Sequence, residues 1–187
     1  KMSTIGVICH EFGHNLGAPD FYDTNYGETG GDYPGTGVWD LMGSGAWNGT
    51  SGDRPDHIKM WQKIQLGWFD PIVLDSTQKV TAMPSAHNNP VAYRVNTTVP
   101  GEYYIMENRQ QSGQFDKALP GHGLLVYHAN EESIKNSVAD NTLNVKYPQA
   151  MYTVCASAGE DPGTNVGSYG NVNDQSAPFP GSLNIRT

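Results

Sequence analysis

Basic residues are scarce in this 187-residue chain: eleven Lys and Arg stand against nineteen Asp and Glu, for a formal net charge of -8. They form no cluster, which excludes the phosphate-tracking surface that nucleic-acid binding needs. Long apolar runs are missing as well. None approaches the roughly 20 residues that span a bilayer, and the first residues show no charged stretch leading into an apolar one. Cysteine is limited to Cys9 and Cys155, too few for a disulfide scaffold, and this leaves either one bridge or two thiols. Repeats and low-complexity tracts are absent. With 22 glycines and only 16% charged residues, the composition is that of a loop-rich extracellular protein, so secretion is expected. At this length one domain is expected.

What is present is unevenly arranged. Residues 2–16 read as a helix that Ser3 or Thr4 can cap. Ile5, Ile8, Phe12 and Leu16 share one face, expected to be buried, and Gly17 and Pro19 end the helix. Residues 20–52 carry no sustained periodicity and form a long loop region, of the kind that is usually functional in a compact domain. A second helix is expected in "SGDRPDHIKMWQKIQLGW", with Asp53 near its N-cap, Pro55 in its first turn, Ile58, Trp61 and Ile64 on one face and Gly67 as the stop. Beyond it, "QKVTAM", "VAYRVNTT", "EYYIMENRQ" and "HGLLVYHAN" have the two-residue period and the β-branched and aromatic content of strands. The fold class expected is α+β, with an irregular, Gly/Asn/Pro-rich end over residues 159–187. The chain opens at "KMSTIGVIC", already inside an apolar helical pattern, so a fragment or processed product of a longer protein is expected.

The stretch "HEFGHNLGAPD", residues 10–20, carries the chemistry. Helical residues four apart lie on one face, so His10 and His14 can point at one ion. Glu11 projects beside them and can reach a water held by that ion, as the general base and later acid of metal-assisted hydrolysis. Zinc lowers the pKa of such a water and polarises a carbonyl, which together describe peptide-bond cleavage. A chance HExxH in a chain of this size is on the order of a few in a thousand, so two ordinary half-buried histidines are the weaker reading. Gly17 can take the left-handed conformation that breaks the helix, Pro19 stops it resuming, and Asp20 returns as a third ligand in the pattern HExxHxxGxxD. Asp20 also reads as a turn aspartate bonding its own backbone, or as a calcium ligand with Asp23. Asp23, Glu28, Asp32 and Asp40 make Ca2+ a candidate for the loop, although their spacing matches no EF-hand.

"HEFGHNLGAPDFYDT", "VWDLMGSGAWNG", "PDHIKMWQKIQLGW", "YYIMENRQ" and "LPGHGLLVYHAN", in that order and on to "PFPGS", resemble the immune inhibitor A family of secreted bacterial zinc metallopeptidases, a metzincin-like group. The resemblance implies a Met-turn that places a methionine beneath the metal. Met42 in "DLMGSG" fits it, with Gly43 and Gly45 allowing the sharp backbone, whereas on the residues alone Met42 reads as an ordinary core methionine. It implies a metzincin-like catalytic domain of which residues 1–187 are the C-terminal part. In that reading residues 1–67 hold the zinc helix, the Met-turn loop and the second helix, residues 68–187 are rich in strands, and the N-terminal half of the domain precedes this chain. Some metzincins carry a tyrosine two residues after the methionine. Ser44 stands there in this chain, so no oxyanion-stabilising side chain follows from the motif, and Tyr22 and His128 are candidates that read equally as packing residues.

The function expected is that of a secreted zinc metalloendopeptidase acting on protein or peptide substrates, with zinc on His10, His14 and Asp20 and Glu11 as the catalytic residue. The alternative is a non-catalytic secreted binding module with a structural metal on the same scaffold. Glu11 argues against it, because a structural zinc site closes with four protein ligands and has no use for a base.

Overall fold

The computed structural model describes residues 3–28, 31–159 and 169–186. Helix α1, Ile5–Asn15, begins at Thr4, whose hydroxyl donates to the Ser51 carbonyl at 2.8 Å instead of capping the helix. It ends at Gly17, which has φ +88° and open space around it, so glycine is needed there for its backbone alone.

The face that α1 buries is not the one expected. Gly6 and Gly13 are buried, while Ile5, Ile8, Phe12 and Leu16 are 46%, 55%, 61% and 40% exposed. The reason is distance between backbones. A Cβ at Gly6 would overlap the Ala46 carbonyl and one at Gly13 would overlap the Met42 sulfur, so only side-chain-free positions let the 39–47 loop come this close. The apolar stripe turns outward, and Ile8, Phe12 and Leu16, with Pro55, Ile58, Trp68 and Phe115, line an open groove.

Two short 3-10 segments, Gly37–Trp39 and Ser44–Trp47, flank a tight turn in which Asp40 O accepts from the amides of Gly43 and Gly45 at 2.9 and 3.0 Å. Helix α2 is shorter than expected, Met60–Gln65. Residues 53–59 stay non-helical because their polar groups bond elsewhere: the His57 amide donates to Asp116 Oδ1 at 2.9 Å, Asp56 pairs with Arg109, and Asp53 caps a turn through the Thr50 amide. Gly67, at φ +71°, does end this helix.

The sheet contains β1 Ile72–Val73, β2 Tyr93–Asn96, β3 Glu102–Arg109, β4 Gly123–Asn130 and β5 Met151–Val154, side by side in that order. The first pair is parallel and the rest antiparallel. "QKVTAM" forms no strand; residues 78–82 are exposed and unpaired in the sheet, so period two alone was not enough without a neighbouring edge to bond. Helix α3, Glu131–Ser137, follows β4 directly and is capped by Asn130 Oδ1 accepting from the Ser133 amide at 2.8 Å. Neither α3 nor β5 stood out in the sequence. Within the expected irregular end, residues 169–186 form only a bridge from Phe179 to Leu124, and residues 160–168 lie outside those described.

The inward positions of β3 are Tyr103, Ile105, Glu107 and Arg109, two of them charged. Burying charge is costly unless it is paired, and here it is. Arg109 donates to Asp116, Glu107 and the Trp39 carbonyl, Glu107 accepts from the Met60 amide at 2.8 Å, and Lys59 pairs with Asp40 over the Phe21 ring. This network ties the turn at residues 40–43 to the sheet. Cys9 and Cys155 are separate thiols, so no bridge joins the helix to the sheet.

Candidate metal centre

Helix α1 carries His10 and His14 one turn apart, with ring centroids 4.8 Å from each other. Each ring is held through Nδ1. His10 donates to the Leu41 carbonyl at 2.9 Å, in the turn before Met42, and His14 donates to the Ala18 carbonyl at 2.8 Å, just past the helix break. With Nδ1 donating to a carbonyl, a ring in its neutral form would present its Nε2 lone pair. Both lone pairs face Asp20 Oδ1, 3.0 Å from His10 and 3.5 Å from His14. That oxygen is buried and has no aligned hydrogen bond of its own.

Three lone-pair donors aimed at one point repel each other unless a cation lies among them. Ligand atoms at 2.0–2.2 Å from a tetrahedral zinc lie about 3.3–3.6 Å from one another; here Asp20 Oδ1 is 3.0 and 3.5 Å from the two imidazole nitrogens, and all three donor atoms lie within 4.8 Å of one another. The donor set of two imidazole nitrogens and one carboxylate oxygen suits zinc and leaves a fourth position open. Among the described residues, His10, His14 and Asp20 form the one group of three or more such side chains able to hold a metal ion. Contact with Asp20 raises the pKa of His10; burial pushes Asp20 up, but His10 and Asn141 outweigh it and hold the carboxyl below its ordinary value.

Glu11 is exposed and lines a hollow of about 300 Å³ with His10, Tyr22, Tyr26, Ser44 and Trp47. Tyr22 sits with its ring 6.5 Å from that of His10, and burial, with the charge of Asp20, pushes its hydroxyl up to about 12. Its hydroxyl is a hydrogen-bond donor at neutral pH, as that of an ordinary tyrosine is. His128 lies elsewhere, on β4, stacked on Tyr152 at 4.9 Å and bordering a different hollow with Glu102 and Tyr104. Met42 is fully buried, and its sulfur packs against Gly13 between the two histidines.

The calcium expectation finds no support. Asp23 caps its own turn, accepting from the amides of Asn25 and Gly27 at 3.1 Å each, and Asp40 is consumed by Lys59, Thr36 and the Met42 amide. Asp20 bonds neither its own turn nor Asp23. Its partner is a residue the sequence did not point to, Asn141, which lies 121 positions away.

Residues 1–69 match the family model described as immune inhibitor A peptidase M6, catalytic domain. The resemblance read from the motifs thus holds over the segment that carries the site. Among curated proteins, Pre-pro-metalloprotease PrtV of Vibrio cholerae serotype O1 (strain M66-2) is 44% identical over 59 residues, which are 31% of this chain and 6% of that protein. Immune inhibitor A of Bacillus thuringiensis subsp. alesti is 49% identical over 78 residues, 38% of this chain and 11% of that protein. The chain therefore spans a small part of the length of the relatives it matches. No solved structure matches it.

Proposed function

We propose that this chain, whose residues 1–69 match the immune inhibitor A peptidase M6 family model, forms the metal-binding part of a secreted zinc metalloendopeptidase that hydrolyses peptide bonds in protein substrates. The observation that carries the reading is the convergence of His10 Nε2, His14 Nε2 and the unbonded Asp20 Oδ1 beside a hollow that Glu11 lines. In it His10, His14 and Asp20 hold zinc. When bound, zinc acts as a Lewis acid on the scissile carbonyl and acidifies water. Glu11, free of structural bonds through its carboxylate and open to the hollow, takes the proton of the attacking water and passes it to the leaving amine. Tyr22, kept protonated, offers a hydroxyl to the carbonyl oxygen as charge builds there.

Met42 is the floor of a Met-turn in this reading. It supports the helix from below at Gly13 while the preceding carbonyl, Leu41 O, orients His10. Residues 1–187 form the C-terminal part of one catalytic domain in this reading, a placement supported by a core among the described residues that joins Trp39, Met42 and Trp61 to Ile105, Tyr127 and Met151. Composition supports secretion, and no helix among the described residues is long and apolar enough to cross a membrane.

Glu11→Ala in the full-length protein tests the assignment. Casein cleavage should fall by about 10²- to 10⁴-fold while zinc stays near one per chain, because the base is lost and the ligands remain. Retained cleavage rejects Glu11 as the base, and loss of zinc makes it a ligand instead.

A further inference from the structure

We infer that Asn141, in the turn after α3, is a positioning residue that selects which oxygen of Asp20 faces the metal; the inference rests on the reading of Asp20 as a ligand. The side chain grips Asp20 at two points. Its Oδ1 accepts from the Asp20 backbone amide at 2.8 Å, and its Nδ2 donates to Asp20 Oδ2 at 2.6 Å. The orientation of the amide is fixed by its partners, since the backbone N–H can only donate and the carboxylate can only accept. With Oδ2 occupied, the free oxygen is Oδ1, the one 3.0 and 3.5 Å from the two Nε2 atoms.

The clamp is itself held. Asn141 has φ 53°, a left-handed conformation that asparagine tolerates better than most residues, and its carbonyl accepts from the Thr24 hydroxyl at 2.8 Å. Three residues on, buried Asn144 donates to the carbonyls of Phe21 and Met151, so the 141–144 turn is moored both to the chain after Asp20 and to β5. A neutral amide suits the task. It fixes the carboxylate without neutralising it, as a lysine or arginine would, and leaves the ligand its full negative charge for the cation. Hydrogen-bond partners of metal ligands that are removed typically cost 10- to 100-fold in metal affinity.

The test is zinc affinity, by chelator competition on the full-length protein, for wild type, Asp20→Ala, Asn141→Gly and Asn141→Asp. Glycine keeps the left-handed backbone and deletes the clamp; aspartate keeps an acceptor for the Asp20 amide but replaces the donor to Oδ2 with a second carboxylate oxygen, which repels it. Both Asn141 variants should bind zinc about 10- to 100-fold more weakly. At saturating cobalt, their visible absorption should move from the wild-type spectrum toward that of Asp20→Ala, a change that a purely structural role would not produce. If Asn141→Gly does not fold, Asn141→Asp decides alone. Affinity and spectrum both unchanged, whatever happens to melting temperature, would overturn the inference. An unaltered affinity in Asp20→Ala would instead overturn the ligand assignment beneath it.

Discussion

Gly13 sits in the middle of a helix, where alanine is ordinarily better by about 1 kcal/mol. Its position against the buried Met42 sulfur reverses that preference, because an added methyl must displace the methionine or push the helix off the turn. Gly13→Ala should therefore lower stability by about 1–3 kcal/mol, the usual cost of overpacking. In a Met42→Ala background, where the overlapping sulfur is gone, the same substitution should be neutral or stabilising. Thermal melts of the four proteins check this, and an equal cost in both backgrounds would show that Met42 is not what glycine makes room for. At this scale the site was largely legible in the sequence. His10, Glu11, His14 and Asp20 fall within eleven consecutive residues, and helical spacing plus a glycine break is enough to bring the candidate donor atoms near one another, although Leu41 and Asn141 then hold His10 and Asp20 from outside this stretch. Asn141 was not legible, since only the tertiary path of the chain brings a residue 121 positions away onto Asp20, and no local pattern marks it.

Among the elements, those specified by local signals appeared and those decided by tertiary contacts moved. Helix α1 and strands β2, β3 and β4 lie where periodicity placed them. The buried face of α1 differs from the expected one because its apolar stripe is an obvious signal, whereas the demand for close backbone approach at Gly6 and Gly13 comes from a loop farther along the chain, at Ala46 and Met42, and leaves no mark on the helix pattern. Helix α2 lost its first turns to the buried ion network around Arg109, which binds Asp56 and the Asp116 that accepts from the His57 amide. That rearrangement has a consequence in acid. His57 stands in a partly buried place, against the Phe115 ring, and burial lowers its pKa from 6.5 to about 4, with Lys63 adding to the effect. The unfolded chain then binds the proton more readily than the folded one. The contribution is fully present above pH 6.5, is lost as pH falls from 6.5 toward 4, and changes no further below that. His57→Gln should flatten this part of the acid sensitivity, so that melting temperature drops less between pH 7 and pH 4.5 than in wild type. An equal or larger drop in the variant would contradict the burial of a neutral imidazole at this position.

For the molecule as a whole, the sequence resemblance and the structure complement each other along the chain. The family match covers residues 1–69, where His10, His14, Asp20 and the tight turn lie, and the sheet lies entirely beyond it. Yet the sheet reaches back into the site's supports: Arg109 on β3 holds the Trp39 carbonyl, Thr153 on β5 donates its amide to Gly35 at 3.1 Å, and the turn after α3 holds Asp20. The arrangement of His10, His14 and Asp20 is therefore a property of the assembled core and not of the helix alone. The claim on which everything else stands is that one zinc ion is held by two imidazoles and a carboxylate. X-ray absorption at the zinc edge of the purified full-length protein tests it most directly. One zinc per chain with only nitrogen and oxygen neighbours at about 2.0–2.2 Å, including the outer-shell scattering of two imidazole rings, is the expected result. A sulfur neighbour at about 2.3 Å, which would bring in Cys9 beside His10, or a protein that holds no zinc at all, would contradict it.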